Sequence, residues 1–564
     1  MNDSPKNWPA LSLQAAHVRL TAPGAAFETT EIIVRGVPMR VWKHVPATAA
    51  QAFARARSHG GREFLVYQSE RVSYEGFARA SLAVANLLME RGLRKGERVA
   101  LAMRNLPEWP VLFVGALLAG AIVVPLNAWW SGDELVFALQ DSGTRFVFAD
   151  GERLARLNAL PPTVEQLFVT RAANPPPGVI ALEDVIGPSS HWQDLPETPM
   201  PDLDILPEDD ATIFYTSGTS GMPKGALGTH RSLTTNIFAT PFSEARNALR
   251  RGIASGLMQQ RVTLLAVPFF HVIGSLSVLL PNMAAGGKLI LMRKFDACEA
   301  LTLIAREKVM VTGGVPAIAL SLVEEAGTHD LSSLQLVTYG GAHSPSWLPG
   351  HIRERLGAMP GQGWGMTETS ATCTTHSGED YLRRPVSCGP VLPVGRIKIL
   401  KDGVEQPPGK AGELWAFGPN IAKGYWNRPQ ATAGTFQNGW LKTGDLAMLD
   451  AEGFCTILDR AEDMLIRGGE NIYCAEVENI LTQHPAVVDA AVIGLPDPVL
   501  GEVPAALVQT RPGMALGEKA LQEFAFQRLA AFKVPVKLHL SPQALPRNDA
   551  GKLMKRGLGK VFRA

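Results

Sequence analysis

A stretch of 24 residues without a charged side chain, residues 109–132, limits most strongly how this chain can fold. A transmembrane helix needs about 20 apolar residues, so the stretch is long enough to cross a bilayer. Gly120 and Pro125 interrupt it, however, and the pieces fit a buried helix over residues 111–119 followed by a buried strand over residues 121–125. We therefore expect the interior of a globular protein here, with no integral membrane segment.

Residues 50–420 alternate helical stretches with short apolar runs. Examples of these runs are residues 264–267, 288–292, 309–312 and 334–339. This rhythm predicts α/β layers around largely buried sheets. The chain is 46% hydrophobic and 19% charged, which is sufficient for a sizeable core. Residues 175–207 are rich in proline and polar residues, which predicts a surface connection.

The last hundred or so residues have a different pattern. Helices fit residues 475–483 and 521–532, and strands fit residues 487–493 and 505–509. This is enough for a small domain of its own, and the charged run at residues 459–463 marks a linker. The fold class predicted is thus α/β, with a large multi-layer N-terminal domain over residues 1–460 and a small α+β C-terminal domain over residues 461–564.

Charge and cysteine content exclude two kinds of function. The net charge is +1 and no basic run is present, so nothing favours nucleic acid as a partner. The five cysteines are odd in number and form no CxxC, which argues against a disulfide framework or a zinc cluster. The first ten residues, MNDSPKNWPA, contain no apolar signal-peptide region. We therefore expect a cytoplasmic protein.

Residues 215–225 read YTSGTSGMPKG and follow a short apolar run that predicts a strand. Backbone N–H groups and hydroxyls in such a run can surround phosphate oxygens, and Lys224 adds a mobile positive charge. The segment is not a Walker A loop, because Pro223 precedes the lysine and Gly225 follows it. The next residues, GALGTH, predict a second strand. A flexible hairpin loop is the alternative interpretation.

Further motifs follow in order along the chain. They are TYGGAH (338–343), QGWGMTE (362–368), GELWAFGPNIAKGYWNRPQAT (412–432), WLKTGDLA (440–447), DRAEDMLIRGGENIYCAEVE (459–478) and LPRNDAGKLMKR (545–556). With the loop, they resemble the adenylate-forming superfamily of acyl-CoA synthetases, peptide-synthetase adenylation domains and luciferases. The resemblance covers nearly the whole chain from about residue 50.

The resemblance implies a reaction in two halves. A carboxylate attacks the α-phosphorus of ATP and releases pyrophosphate, and a thiol then attacks the acyl-adenylate. ATP, Mg²⁺ and the co-substrate coenzyme A are therefore implied, together with a small domain that is mobile between the half-reactions. Catalysis of this kind depends on positioning two anions and neutralising their charge.

Three residues have implied catalytic roles. Lys552 bridges the carboxylate and the α-phosphate, because two anionic reactants need a cation between them. Glu368 holds Mg²⁺, with Thr216 as a second metal contact, since hard oxygen ligands suit that ion. His271, in PFFHVIG, lies beside the acyl pocket and positions the carboxylate or gates the tunnel. The alternatives are a solvated tail lysine, a surface glutamate and a structural histidine.

The remaining implied residues bind the nucleotide or coenzyme A. The set comprises Thr216, Ser217, Gly218, Thr219, Ser220, Gly221 and Lys224 for the phosphates, Gly341, Ala342, His343, Gly363, Trp364, Gly365 and Thr367 for adenine and its surroundings, Asp445 and Arg460 for ribose, and Gly469 for the pantetheine arm.

Trp364 stands where many relatives have tyrosine, and its ring is expected to lie against adenine. Asp445 is expected to accept both ribose hydroxyls. Small residues, among them Gly274, Ser275 and Gly313, resemble pocket walls that leave volume for a large acid. The hinge position is Glu462, where relatives usually have Asp or Lys.

The leading hypothesis is an ATP-dependent acyl-CoA ligase for a medium- or long-chain fatty acid or a similarly bulky acid. An aromatic or a steroid side-chain acid is the alternative substrate. A peptide-synthetase adenylation module is disfavoured, because an aspartate near the His271 position is usual there. A nucleotide-binding regulator without catalysis is disfavoured by the presence of Lys552, Glu368 and Asp445. Formation of a homo-oligomer stays open.

Overall fold

The computed structural model describes residues 8–157, 159–216, 223–253, 260–468, 470–547, 553–555 and 557–563. Two eight-stranded sheets form the centre of its large domain. With elements numbered in chain order, the first sheet runs β22 (Gly424–Tyr425), β11 (Lys224–Thr229), β10 (Asp210–Thr216), β6 (Ile122–Pro125), β5 (Arg98–Ala102), β7 (Phe146–Asp150), β8 (Gln166–Thr170) and β9 (Val179–Ala181). The second runs β17 (Ala371–Ser377), β16 (Met359–Met366), β15 (Leu336–Gly340), β14 (Val311–Gly314), β12 (Val262–Leu265), β13 (Lys288–Leu291), β3 (Glu63–Tyr67) and β4 (Glu70–Ser73).

Both sheets are parallel in their middle and antiparallel at an edge. In the first sheet β10 pairs antiparallel with β11, and β6 pairs parallel with β10 and β5. In the second sheet β14, β15 and β16 pair in parallel and β17 pairs antiparallel with β16. The predicted α/β layers are therefore confirmed, and so is the second strand after the YTSGTSGMPKG segment.

Helices connect and cover these strands. In the large domain they are α1 (Leu13–Thr21), α2 (Ala49–Arg57), α3 (Tyr74–Glu90), α4 (Glu108–Leu118), α5 (Gly132–Ser142), α6 (Gly151–Leu154), α7 (Glu183–Ile186), α8 (His230–Thr235), α9 (Ala239–Arg250), α10 (Leu280–Ala285), α11 (Ala297–Glu307), α12 (Pro316–Glu325), α13 (Leu348–Leu356), α14 (Glu379–Arg383) and α15 (Pro429–Thr435). Their ends follow local chemistry. Helix α5 begins at a capping box between Ser131 and Glu134 and ends at Gly143, whose φ is +64°.

The charge-free run forms a buried helix and a buried strand, as predicted. All residues of α4 are buried, and β6 follows it in the first sheet. The Trp109 ring stacks on Phe113 and on Phe269, each at 4.9 Å between ring centroids. In the described part of the chain, no helix is long and apolar enough to span a membrane. The uncharged run is therefore explained by burial between helices and sheets.

A third, antiparallel sheet completes the large domain. It contains β18 (Gly389–Pro390), β25 (Phe454–Arg460), β24 (Trp440–Leu449), β21 (Gly412–Phe417), β19 (Arg396–Lys401), β20 (Val404–Glu405) and β23 (Phe436–Gln437). Strand β25 includes Asp459 and Arg460, so the charged run at residues 459–463 begins inside a strand. The prediction that this whole run is a linker was therefore wrong, because cross-strand pairing with β24 holds its first two residues.

The small domain has its own sheet and core. Its strands are β27 (Glu470–Ile472), β26 (Leu465–Arg467), β29 (Gly501–Thr510), β28 (Val487–Asp497) and β30 (Lys537–Ser541), and its helices are α16 (Cys474–Leu481) and α17 (Glu518–Phe526). The predicted α+β unit is confirmed. Helix α17 ends six residues earlier than predicted.

Residues 175–207, predicted as a surface connection in the large domain, contain regular secondary structure. They include β9, α7 and a short 3₁₀ helix, Ser189–Asp194.

The N-terminal segment, residues 8–42, packs on helix α9. It contains α1 and a hairpin of β1 (Thr29–Val34) and β2 (Val37–Trp42). The rings of His17, Phe27 and Trp42 lie 5.2–5.4 Å from the Phe242 ring of α9. The five cysteines are free in this structure; Cys298 is exposed, and Cys373, Cys388, Cys455 and Cys474 are buried.

Candidate active site

A cavity of about 830 Å³ lies along β12, β14, β15 and β16 and includes residues at the carboxyl ends of these strands. In sheets of this kind, ligands bind at the carboxyl ends of the strands. Residues singled out from the sequence that line the cavity include His271, Gly313, Gly341, Gly363, Trp364, Gly365 and Thr367. They come from four separate segments, so the fold brings the sequence motifs together.

Asp445 lies at the centre of a hydrogen-bonded network beside the cavity. Its Oδ2 accepts from Trp364 Nε1 at 2.8 Å, and its Oδ1 accepts from the Arg460 guanidinium at 2.7 Å. Cross-strand pairing of β24 with β25 places Asp445 directly opposite Arg460. Burial alone would lower the pKa of Arg460, but Asp445, with Glu462 and Glu368, raises it above its ordinary value. The guanidinium therefore stays charged and holds the carboxylate in place.

Glu368 is held by a tyrosine that the sequence analysis did not single out. Glu368 is buried on the short turn Thr367–Thr369, and its Oε1 accepts from the Tyr425 hydroxyl at 2.6 Å. Burial and the neighbouring carboxylate raise the pKa of Tyr425, so its phenol remains a donor. Lys224 Nζ lies 5.4 Å from the Tyr425 ring centroid. The two predicted residues Glu368 and Lys224 thus meet at the same aromatic side chain.

Strands β10 and β11 position the two ends of the predicted phosphate loop. Thr216 and Lys224 are directly opposite each other in the register of this hairpin. Tyr215, the residue before Thr216, lines the cavity. Residues Ser217, Gly218, Thr219, Ser220 and Gly221 lie outside the described residues. The strand that leads into the predicted loop therefore borders the cavity at Tyr215.

His271 is placed by a buried asparagine. Asn105 Nδ2 donates to the Val267 and Met292 carbonyls at 3.0 and 3.1 Å, and its Oδ1 accepts from Phe269 N at 2.8 Å. These bonds join the carboxyl ends of β12 and β13 to the loop after β5. The segment that carries His271 is thereby fixed where it borders the cavity.

The TYGGAH segment contributes one of its three predicted residues to the cavity wall. Gly341 lines the cavity, and an added Cβ there would meet Ile273 Cδ1 at 3.4 Å. Ala342 is half-buried and His343 is exposed, and neither is among the described residues that line the cavity. Further along the same loop, Ser346 N donates to Asn479 Oδ1 of α16 at 3.0 Å. This loop therefore also contacts the small domain.

Several glycines are required by the backbone around the cavity. An added Cβ on Gly365 would lie 1.6 Å from the Ala371 carbonyl oxygen, at the irregularity between β16 and β17. Gly274 is a correction to the pocket-wall prediction. Its Cβ would lie 2.2 Å from the Pro268 carbonyl oxygen, and neither Gly274 nor Ser275 is among the described cavity-lining residues. Gly274 is therefore explained by close backbone packing.

The chain on both sides of Lys552 borders the cavity. Arg547 and Met554 both line it, Arg547 pairs with Leu553 in an antiparallel bridge, and Met554 N donates to the Pro546 carbonyl at 2.9 Å. Lys552 itself lies outside the described residues, as does Gly469. The described flanks thus form a short paired stem beside the cavity, and residues 548–552 connect its two sides.

Three residues in or beside the site were not found from the sequence. Tyr425 and Asn105 act through contacts with distant residues, which local pattern does not reveal. Trp129 lines the cavity with the Arg104 guanidinium 4.8 Å from its ring centroid. In the described part of the chain, no group of three or more His, Cys, Asp and Glu residues is arranged to hold a metal. Any metal here would depend on few protein ligands, as Mg²⁺ commonly does.

Two family models match this chain. Residues 52–426 match the family model described as AMP-binding enzyme, and residues 476–552 match that described as AMP-binding enzyme C-terminal domain. The 2-succinylbenzoate–CoA ligase of Geobacillus kaustophilus is 35% identical over 484 residues, which are 86% of this chain and 91% of that protein. The long-chain-fatty-acid–CoA ligase FadD13 of Mycobacterium tuberculosis is 34% identical over 499 residues, 88% of this chain and 94% of that protein.

A solved structure is similar over the same extent. The O-succinylbenzoate coenzyme A synthetase from Bacillus subtilis, in complex with ATP and a magnesium ion, is 33% identical with a TM-score of 0.75. The match covers 90% of this chain and 98% of that chain.

Proposed function

The chain belongs to the family of AMP-binding enzymes and is an AMP-forming, ATP-dependent acyl- or aryl-CoA ligase, and we propose that its substrate is a bulky carboxylic acid with an apolar body. The acid carboxylate attacks the α-phosphorus of ATP, forming an acyl-adenylate and releasing pyrophosphate. The thiol of coenzyme A then attacks the acyl carbon, giving the thioester and releasing AMP.

The observation that carries the nucleotide assignment is the Trp364–Asp445–Arg460 network. Each carboxylate oxygen has two acceptor positions. One donor already binds each oxygen of Asp445, at 2.8 and 2.7 Å, so each retains capacity for one ribose hydroxyl. Trp364 lines the cavity and offers its ring face to adenine. In this proposal the same indole stacks on the base and orients the carboxylate that binds the sugar.

Glu368 and Thr216 are the proposed Mg²⁺ contacts. The site fits this ion because a buried carboxylate, fixed by the Tyr425 hydroxyl at 2.6 Å, is a hard oxygen ligand with acceptor capacity left. When bound, Mg²⁺ neutralises phosphate charge and favours departure of pyrophosphate. The chain's own contribution is to hold the Glu368 carboxylate in one orientation.

Lys552 is proposed to lie between the acid carboxylate and the α-phosphate, in a small domain that begins at residue 461. Support comes from Arg547 and Met554, which flank it and line the cavity. An ammonium at this place lowers the repulsion between two anionic reactants in the transition state.

The cavity wall supports an acid with an apolar body. Away from Trp364 the lining includes the aliphatic side chains of Leu265, Val267, Val278 and Leu336. A medium- or long-chain fatty acid suits such a wall. An aryl acid is a second candidate, because the aromatic side chains of Trp129 and Phe270 line the same cavity beside His271. The 2-succinylbenzoate ligases among the relatives agree with this second candidate.

Pyrophosphate release from purified protein tests the proposal. The protein is supplied with ATP, Mg²⁺ and a panel of acids from acetate through long fatty acids to aryl and steroid side-chain acids, with and without coenzyme A. We expect release that requires one acid class, with AMP and a CoA thioester formed when coenzyme A is added. The acid with the highest kcat/KM identifies the class.

Two lysine variants separate catalysis from general charge effects. Lys552→Ala is expected to lower kcat for pyrophosphate release by about 100-fold, because it removes a charge that acts in the transition state. Lys560→Ala is the matched control, since Lys560 is an exposed lysine of the same terminal segment. Pyrophosphate release that needs no acid, or that survives Lys552→Ala unchanged, would contradict the proposal.

A further inference from the structure

Lys555 directly follows the stem that flanks Lys552 and is half-buried, unlike a typical exposed lysine. Its Nζ lies 2.7 Å from Glu478 Oε1, and the two side chains are only 17% and 11% exposed. Glu478 Oε1 also accepts from Val492 N at 2.8 Å, so the carboxylate is tied to the small-domain sheet as well as to α16. A half-buried lysine paired in this way has a fixed position, because leaving either charge alone would be costly.

Two further carboxylates surround this ion pair. Burial raises the pKa of Asp459 to about 6, and the positive charge of Lys555 opposes that rise. Burial likewise raises the pKa of Asp463, and Lys555 again acts in the opposite direction. Although burial alone would lower the pKa of Lys555, Glu478 and its neighbours raise it, so the ammonium remains charged. One cation thus serves three buried or half-buried carboxylates.

The carboxylates come from both domains. Asp459 is on β25 of the large domain, whereas Glu478, on helix α16, and Asp463 belong to the small domain. Asp459 Oδ2 accepts from Cys474 N, the first residue of α16, at 2.5 Å. Lys555 therefore anchors the terminal segment at the point where the last strand of the large domain meets the first helix of the small domain.

Two described anchors of the stem lie within the small domain. Arg547 pairs with Asp489 of β28 at 2.5 Å, and Leu553 packs with the small-domain side chains Ala491, Leu507 and Leu545. These contacts fix the stem to its own sheet. The Lys555–Glu478 ion pair fixes the segment to α16, and Cys474 N at the start of α16 donates to Asp459 Oδ2 of the large domain. Through this helix Lys555 is connected to the large domain, on which the cavity is built.

We propose that Lys555 is a positioning residue for the first half-reaction, holding the segment that carries Lys552 against the cavity through Glu478, Asp459 and Asp463. The inference rests on the proposed function, because it assigns Lys552 to acyl-adenylate formation. Loss of the Lys555 charge leaves three carboxylates without their shared cation. The segment then loses its fixed place relative to the cavity, while the nucleotide network at Asp445 stays intact.

Three variants test this role in the full-length protein. Lys555→Met removes the charge and keeps the length of the side chain, Lys555→Arg keeps the charge, and Lys560→Met is the exposed control. Acid-dependent pyrophosphate release gives kcat and the KM for ATP. A second assay supplies the synthetic acyl-adenylate with coenzyme A and measures thioester formation alone.

We expect Lys555→Met to lower kcat of the first half-reaction by about 10- to 100-fold, with the KM for ATP changed less than about threefold, as for a residue that supports a catalytic group. Thioester formation from the supplied acyl-adenylate should fall much less. Lys555→Arg should recover most of the rate, and Lys560→Met should match the wild type. Equal losses in both half-reactions with no recovery by arginine, or a wild-type rate for Lys555→Met, would overturn the inference.

Hydrogen exchange gives a readout that does not depend on activity. Backbone amides of residues 553–562 should exchange about tenfold faster or more in Lys555→Met, because the segment loses an anchor. Amides of α16 and β28 should keep their wild-type protection. Unchanged exchange at residues 553–562 would refute the anchoring role even if the wild type proved to be inactive. A wild type that releases no pyrophosphate with any acid would instead refute the proposed function.

Discussion

Replacing Trp364 by phenylalanine tests the central network of the site. The change keeps an aromatic ring for adenine and removes the indole N–H that donates to Asp445 Oδ2 at 2.8 Å. The two residues are 9% and 5% exposed, so bulk water has little access to replace the lost donor. A hydrogen bond to a charged group contributes about 1.5–3 kcal/mol, and each 1.4 kcal/mol corresponds to about a tenfold change in affinity.

The expected loss of ATP-binding free energy is at the lower end of this range of 1.5–3 kcal/mol, that is, about 1.5 kcal/mol. Arg460 still donates to the other oxygen of Asp445 at 2.7 Å and keeps the carboxylate near its place. We therefore expect the KM for ATP to rise about tenfold in Trp364→Phe, with the KM for the acid nearly unchanged. The assay is acid-dependent pyrophosphate release with ATP varied at saturating acid, and then the reverse.

A second tryptophan provides the matched control. Trp415 is on β21 of the third sheet, and its buried Nε1 has no hydrogen-bond partner in the described part of the chain. Trp415→Phe makes the same chemical change without removing a bond to Asp445, so its KM for ATP should stay within about twofold of the wild type. A wild-type KM for ATP in Trp364→Phe would refute the role given to the indole N–H.

Three further predictions concern other parts of the site. Tyr425→Phe removes the 2.6 Å donor to Glu368, so the Mg²⁺ concentration for half-maximal pyrophosphate release should rise about tenfold; an unchanged Mg²⁺ titration would contradict it. Asn105→Ala removes three buried hydrogen bonds of 2.8–3.1 Å. It should lower the free energy of unfolding by about 2–4 kcal/mol in urea titrations and raise the KM for the acid. An unchanged KM for the acid would contradict the role of Asn105 in placing the segment that carries His271. The pKa of Asp459 is raised to about 6 from 3.8, so the folded state holds the proton more tightly and wild-type stability should fall as pH rises from about 4 to 6. In Asp459→Asn the free energy of unfolding should not show this decrease, which amounts to up to about 3 kcal/mol in the wild type. If the free energy of unfolding varied with pH in parallel for the two proteins, the prediction would be contradicted.

Local pattern predicted the elements that local chemistry determines. The interrupted charge-free run gave the helix and strand that the structure contains as α4 and β6, because Gly120 breaks the helix where the chain turns. The hairpin around the YTSGTSGMPKG segment was also predicted. In these places the residues that decide the conformation are neighbours in the sequence, so spacing and composition are sufficient.

The contacts that organise the site could not be predicted in the same way. The Trp364–Asp445 bond joins residues 81 apart in the chain, and the Tyr425–Glu368 bond joins residues 57 apart. Neither pair has a sequence signature, since each depends on how two sheets pack. Lys555 is a second case in which the sequence does not reveal the environment of a residue. From the sequence it fits a solvated lysine, whereas the fold half-buries it beside Glu478, near Asp459 and Asp463.

Two adjacent residues at the end of β25 connect the halves of the site. Arg460 donates to Asp445, which belongs to the proposed nucleotide network. Asp459 accepts from the first backbone N–H of α16, and the positive charge of Lys555 acts to lower its pKa. Side chains alternate between the two faces of a strand, so neighbouring residues naturally serve opposite sides. With the roles proposed above, a displacement of this strand end would disturb ribose binding and the Lys552 segment together. This arrangement explains why the junction between the domains begins within a paired strand, since a flexible linker at Asp459 could not keep both contacts in register.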